Sequence, residues 1–371
     1  MKSYLLKRIL LLIPTFLGIT LMTYFIIKFA PGSPLSVKLQ GSEGIKAQAI
    51  SKEVLDQLNK LYGLDTPLPG WYEHGIHSIN AKVFKVEDVE TENWFRKSAE
   101  ALGKNTIQYG QWLKRFVKFD FGESFKDHRP VISKIKEALP ITLSLNLIEV
   151  LIVYLISIPL GVYSALRRDS LTDKVVMVNL FILYSLPTFW VATILMMLFS
   201  SADGFNWFPM VGFASDGAET LPWYRWLLDV GWHLVLPIVC MVYGSFAFLS
   251  RFSRSTMLDV IRQDYIRTAK AKGLPRRMVI WKHAFRNSLI PLVTLMGTLL
   301  PALLGGSVII EQIFSIPGMG KLGFESVLAR DYPTIMAIAS IEALLTLFSL
   351  LLSDLLYVWI DPRISFDKLT E

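Results

Sequence analysis

Three carboxylates, Glu149, Glu342 and Asp354, fall within or beside long apolar runs. Hydrocarbon cannot hydrate a charge, so an ionisable group at that depth is a functional candidate. Asp354 lies near the end of its run, where anchoring at the interface is the plainer role. Glu149 and Glu342 sit deeper, and such a pair could carry protons in a coupled transporter. A second chemistry is cationic. Asp264–Pro291, DYIRTAKAKGLPRRMVIWKHAFRNSLIP, is the most basic stretch of the chain and lies between two apolar runs. His74 and His77, beside Glu73, could ligate a metal, but no third strong ligand is near, and no metal site is expected. Ile316–Gly323, IPGMGKLG, has the look of a phosphate loop without its spacing. Ser315 stands where the first glycine belongs, and Leu322 replaces the Ser or Thr after Lys321. No HExxH or GxSxG motif occurs, so no catalytic residues are assigned. Cys240, the single cysteine, reads as a small buried hydrophobe.

The elements that must carry these residues are membrane spans. Of 371 residues, 52% are hydrophobic and only 19% charged, and the mean hydropathy is +0.43. A soluble domain is poorer in apolar residues and richer in charge. A first run, Ile9 to about Ala30, is long enough to cross the hydrocarbon, since about 22 residues at ~1.5 Å each reach ~33 Å. A cleaved signal peptide is the rival reading of this run, but it is long for a signal core and Pro31 follows at once. Further spans are expected at Ile141–Val162, Val175–Ser200, His233–Leu249, Ser288–Ile310 and Ile335–Trp359, giving six in all. Pro187 should kink the third. Pro291, Gly297, Pro301, Gly305 and Gly306 make the fifth irregular. Irregular helix at membrane depth is tolerated when it packs in protein or lines a watery path. Pro301, Gly305, Gly306 and Glu342 are the candidate translocation residues, with simple bundle packing as the alternative.

Lys and Arg set the orientation. They gather at the N-terminus (Lys2, Lys7, Arg8), after the second span (Arg167, Arg168, Lys174) and through the basic stretch. The alternate loops hold few: Arg225 in one, Lys321 and Arg330 in another. Both termini and the basic stretch are therefore expected in the cytoplasm. The net charge of +7 is spent on this pattern and on contact with an anionic lipid bilayer, and nucleic acid is set aside. Within the basic stretch, Asp264 to Lys272 should be a short helix and Gly273 its left-handed end. Pro275 should open a second helix, amphipathic through Leu274, Met278, Trp281, Phe285 and Leu289. Residues 31–140 form a polar segment with apolar helical faces at Val54, Leu55, Leu58 and Leu61, and at Tyr109, Trp112, Leu113, Phe116 and Val117. A third, Val131, Ile132, Ile135 and Leu139, leads into the second span. Residues 69–106 look like an insertion in a loop.

With these stretches in view, the sequence resembles the permeases of binding-protein-dependent ABC importers. The resemblance is to the first, B-type, of the two permease subunits of dipeptide/oligopeptide systems. Asp264–Gly273 is similar to the family's cytoplasmic EAA-type loop, with Ala269, Ala271 and Gly273 on its small positions and the glutamate absent. FAPGSP (Phe29–Pro34), LYGLDTPL (Leu61–Leu68), FGESF (Phe121–Phe125), SIPLG (Ser157–Gly161), EQIFSIPGMGKLG (Glu311–Gly323), RDYP (Arg330–Pro333) and DPRI (Asp361–Ile364) match in order and spacing. The 69–106 insertion is similar in placement to the enlarged first outer loop of an oligopeptide/microcin-type subgroup.

The resemblance implies an all-α integral membrane protein with the six transmembrane helices of the type I ABC importer permease fold. It also implies a large extracytoplasmic loop between helices 1 and 2. The divisions would be 1–30, 31–140 and a permease core 141–371, with a cytoplasmic coupling loop at about 251–287. Asp264, Tyr265, Arg267, Thr268, Ala269, Ala271, Lys272 and Gly273 would dock as a coupling helix on an ATPase. Such a subunit would work in the bacterial inner membrane with a second permease, two ATPase subunits that bind the ATP and Mg, and a substrate-binding protein delivering peptide. This chain would hold no cofactor. Related permeases move nickel chelates or short oligosaccharides. A proton-coupled secondary transporter is the rival class, and a signalling receptor a more remote one.

Overall fold

The computed structural model describes residues 2–29, 108–299 and 302–360. The expected helix at 54–61, the 69–106 insertion, His74 and His77, Pro301 and the DPRI stretch lie outside them. Among the described residues the chain is helical, and one isolated bridge, Glu123 to Pro130, is the only strand-like pairing.

The helices in chain order are α1 (Lys2–Phe29), α2 (108–117), α3 (Val131–Leu166), α4 (Leu171–Ser185), α5 (Thr188–Phe199) and α6 (Trp223–Ile261). They continue with α7 (Asp264–Ala271), α8 (three joined pieces, Arg276–Met278, Val279–Phe285 and Arg286–Leu299), α9 (Ala302–Gly305), α10 (Val308–Ile313), α11 (Met319–Leu328) and α12 (Tyr332–Ile360). Four of them, α1, α3, α6 and α12, are long and apolar enough to cross a membrane. A fifth span results if α4 and α5 are taken together.

Two expected spans differ in form. The third is not kinked at Pro187 but broken there. Leu186 and Pro187 are extended, and α4 and α5 meet at 93°. Proline removes one backbone donor and disfavours helix in the residue before it, so the helix is interrupted here. The fifth, expected across Ser288–Ile310, is divided among α8, α9 and α10, with Gly306 at φ +67° between the last two.

By internal contacts the chain divides into two compact units. The larger holds α3 from Ile135 onward and α4 to α10. One core lies among α3, α5, α6 and α10, where Leu145, Ala192, Leu234, Cys240, Ile310 and Phe314 are buried. Cys240 is a packed hydrophobe there, as its place in the sequence indicates. α3 and α6 cross closely at Gly161, where a Cβ would stand 2.6 Å from the Ser250 carbonyl oxygen and 2.8 Å from the Arg254 nitrogen. Ser253 Oγ donates to the Ile158 carbonyl at 3.3 Å at the same crossing. Small residues and hydroxyls are how helices approach without a hydrophobic drive in lipid. Gly161→Leu should therefore force the two helices apart, a change of about 1–3 kcal/mol typical of overpacking. The unfolding midpoint in detergent would register it, and an unchanged midpoint would show that the crossing yields.

In the smaller unit, α2 packs on α1. Tyr109 and Tyr24 are buried with Met336, Tyr109 lies 2.7 Å from Thr20 Oγ1, and Trp112 stacks on Tyr109. Val117, expected on this apolar face, is 73% exposed instead, because the helix ends there. Asp331 fixes the FGESF turn to the start of α12. Its carboxylate accepts from Ser124 Oγ at 2.5 Å, the Phe125 N–H at 2.8 Å and Thr334 Oγ1 at 2.6 Å. Lys134 Nζ stands 3.6 Å away.

Candidate functional site

The basic stretch forms the helix and elbow that its residues dictate. Asp264 sits in the first turn of α7 and Lys270 in the last, each suited to the helix dipole. At the far end Gly273 takes φ +76°. Its N–H donates to the Lys270 carbonyl at 3.0 Å, and the Leu274 N–H reaches back to Ala269 at 3.4 Å. That pair of bonds is a Schellman ending, and it needs the left-handed residue that glycine supplies. No atom stands within 4 Å of where a Gly273 Cβ would lie.

Ile266 and Ala269, three residues apart, share the inward face of α7. They pack with Val162 and Ala165 of α3, Met257 of α6, and Val279 and Ala284 of α8. Asp264, Tyr265, Arg267, Thr268, Lys270, Ala271, Lys272 and Gly273 are exposed. Of the three small positions, then, Ala271 and Gly273 face outward, whereas Ala269 is 7% exposed and packs on its own chain. Tyr265 is tied back by its hydroxyl, which accepts from Asn287 Nδ2 at 2.8 Å.

The helix after the elbow departs from its expected face. Val279–Phe285 is wound as a π-helix, whose hydrogen bonds span five residues rather than four. Val279 and Ala284, five apart, are buried, while Met278 and Trp281 are 41% and 52% exposed. The spacing of three and four assumed for Leu274, Met278, Trp281, Phe285 and Leu289 does not hold through that turn.

An ion pair anchors α6 just before α7. Arg254 grips Asp173 with both arms, Nε to Oδ1 at 2.8 Å and one terminal nitrogen to Oδ2 at 2.7 Å. Ser164 Oγ and the Asp169 N–H complete the carboxylate's shell. Three segments converge on one buried group: the end of α3, the turn into α4, and α6.

Nearer the middle of the long helices lies a cavity of about 410 Å³, lined by Asn146, Glu149 and Tyr154 of α3, Tyr184 of α4, Ser245 and Phe248 of α6, and others. Glu149 Oε1 accepts from Ser245 Oγ at 2.7 Å. Leu295 and Leu303 line it from α8 and α9. Among the expected translocation residues, Glu342 is half-buried on α12 and is not part of this lining. Gly305 ends α9, and Gly306 packs elsewhere.

Gly306 belongs to a nest around Glu311. This carboxylate is 1% exposed. It accepts from Thr142 Oγ1 at 3.0 Å and from the Lys321 N–H at 2.8 Å. Gly306, Gly318 and Gly320 press so closely that a Cβ on Gly318 would stand 2.5 Å from the Glu311 Cδ, and one on Gly320 3.1 Å from Oε2. The IPGMGKLG turn thus cradles an anion after all, and the anion is the chain's own carboxylate.

These features can be set beside known proteins. A family described as the binding-protein-dependent transport system inner membrane component matches residues 157–366. The chain belongs to this family. The matched stretch holds Gly161, Asp173, Arg254, the whole of α7 and Glu311. Among curated relatives, the oligopeptide transport system permease protein AppB of Bacillus subtilis (strain 168) is 37% identical over 99% of this chain and 100% of its own length. The peptidoglycan transport system permease protein YejB of Agrobacterium fabrum is 34% identical, covering 99% of each. The inner membrane ABC transporter permease protein YejB of Escherichia coli O157:H7 is 32% identical over 99% of this chain and 100% of its own. The protein is thus a multi-pass inner-membrane permease component.

In this permease the most buried acids among the described residues are not the carboxylates of the apolar runs. Asp173, Glu311 and Asp331 are 3%, 1% and 0% exposed. Two stand in polar connections and one beside an apolar run, so none registers as a charge in hydrocarbon. A usable signal was the glycine-rich turn at Ile316–Gly323, whose backbone can approach an acid closely and offers it the Lys321 N–H.

Proposed function

We propose that this permease forms half of the translocation pathway of an ATP-driven peptide importer, paired with a second permease and worked from the cytoplasm by two ATPase subunits. A substrate-binding protein would deliver peptide to the outer mouth. The relatives named for oligopeptide and dipeptide systems, full-length matches to this chain, support the substrate class. The observation that carries the mechanism is the build of α7. Its inward side is pinned in the core by Ile266 and Ala269, while Arg267, Thr268, Ala271 and Lys272 are presented outward.

A helix held in this way moves as a rigid body with α3 and α6. ATP-driven closure of the ATPase pair would push on the outward face, and the same displacement would pass to the spans and exchange an outward for an inward opening. In this scheme Ala269 acts as a positioning residue, and Asp264, Tyr265, Arg267, Thr268, Ala271, Lys272 and Gly273 make the docking surface. The segment 31–140 would lie outside the cell and the termini inside.

Gly273→Val tests the elbow. A left-handed residue with a side chain costs about 1–2 kcal/mol locally, and the space around Gly273 is open, so the protein should still insert and assemble. In proteoliposomes with all partners, ATP hydrolysis should continue while uptake falls severely. Normal uptake by this variant would remove the docking role. A cysteine at Ala271 should also cross-link to an ATPase subunit.

A further inference from the structure

The cavity between α3, α4, α6 and α8–α9 has a chemistry that the rigid-body account leaves unused. Asn146, Glu149, Val150 and Val153 recur at three and four residues on α3, so one face of that helix looks into it. Glu149 lies near the middle of this 36-residue helix, at the depth where a charge has least access to bulk water. The rest of the lining is mostly apolar, with Tyr154 and Tyr184 on its walls and no Lys or Arg among its residues. Ser245 donates to one carboxylate oxygen. The second oxygen has no hydrogen-bond partner among the described residues.

A lone carboxylate with one satisfied and one open oxygen, in an apolar half-enclosed cavity, is a cation site by elementary electrostatics. Nothing else in the lining carries a compensating charge, and a half-buried carboxylate gains from a cationic partner. The volume of about 410 Å³ falls in the range of small-molecule sites, roughly 300–1,000 Å³. That is room for the end of a chain-like solute rather than for a bare ion. The tyrosine and phenylalanine walls suit a cation as well, since aromatic faces attract one.

We propose that Glu149, steadied by Ser245, is a transit site for the primary ammonium group of the solute as it crosses the membrane. Resting on the peptide-import reading, this makes Glu149 a specificity-determining residue of the permease. The ammonium pairs with the open oxygen on entry and leaves when the spans rearrange. A substrate whose amine is blocked would meet an uncompensated carboxylate and pass more slowly.

The test compares uptake of trialanine with that of N-acetyl-trialanine by the complete reconstituted transporter, wild type against Glu149→Gln. Wild type should favour the free amine by about tenfold, the worth of one charge pair in a partly buried setting, and Glu149→Gln should bring the ratio close to one. Glu149→Asp keeps the charge, sets it back along the side chain, and should give an intermediate ratio; it carries the test if the amide variant does not assemble. An N-acetylated peptide bearing one lysine separates the sources of the amine. Uptake at the free-amine rate supports a site for any primary ammonium, and uptake at the blocked rate supports one restricted to the peptide's own amino end.

A preference that persists unchanged in both variants would overturn the assignment while leaving peptide import standing. Equal uptake of both trialanines by wild type would do the same. If wild type moves no peptide at all, the import reading fails first and the ammonium site falls with it.

Discussion

Arg254→Leu should destabilise the protein by about 2–3 kcal/mol, below the usual 3–5 for a broken buried pair because Arg254 keeps a fifth of its side chain exposed. The loss is large because the partner stays behind. Asp173, 3% exposed, would keep its bonds from Ser164 and Asp169 but lose both guanidinium contacts. An unpaired carboxylate in that position costs more than the pair contributes. The double variant Asp173→Leu with Arg254→Leu should recover most of the loss, since neither charge then remains. Unfolding midpoints of the purified protein in detergent would measure both. Equal stability of wild type and Arg254→Leu would show that the clasp does not hold α4 to α6. The functional effect should follow the same order. Arg254 lies two turns before the end of α6, so loosening it frees the arm that carries α7, and uptake should fall with stability and return in the double variant.

Glu311→Gln should cost about 3 kcal/mol, because it exchanges charge-assisted hydrogen bonds, each of roughly 1.5–3 kcal/mol, for weaker neutral ones. It also replaces one acceptor with an amide that must face other donors. The nest is built from N–H and O–H groups aimed inward, Lys321 N–H and Thr142 Oγ1 among them, and Thr142 in turn accepts from the Met319 N–H at 2.7 Å. An amide nitrogen has no place in such a shell. Gly318→Ala probes the same nest from outside. Its methyl group would fall 2.6 Å from both carboxylate oxygens, so either the turn or the acid must move. Both variants should lower uptake together with the unfolding midpoint, and Gly318→Ala should lose part of its effect when combined with Glu311→Ala, which removes the clash. Additive effects in that double variant would show that the glycine and the acid act separately.

Much of the frame was legible in the residues. Long apolar runs announce spans because hydrocarbon admits little else, and α1, α3, α6 and α12 contain the runs expected of them. Gly273 was readable as a helix end because the left-handed conformation is a property of one residue. The family resemblance held, with a relative 37% identical over 99% of this chain. Proline at 187 promised a bend, but its size was not in the sequence. A right angle rather than a kink follows from how α5 is packed in the core with α6 and α10.

What the sequence determined by itself is whatever depends on a residue and its near neighbours: the four long spans, the cationic helix, the glycine elbow and the membership of a transport family. Tertiary structure alone decided which side of α7 faces out, since Ala269 is small enough for either role and is drawn inward by Val162 and Met257. It alone brought Asp173 to Arg254 across 81 positions of chain and Thr142 to Glu311 across 169. The physical reason is the range of the forces. Backbone preference and hydropathy act locally and leave a mark at each position, whereas a buried carboxylate is stabilised by donors that folding collects from distant parts of the chain.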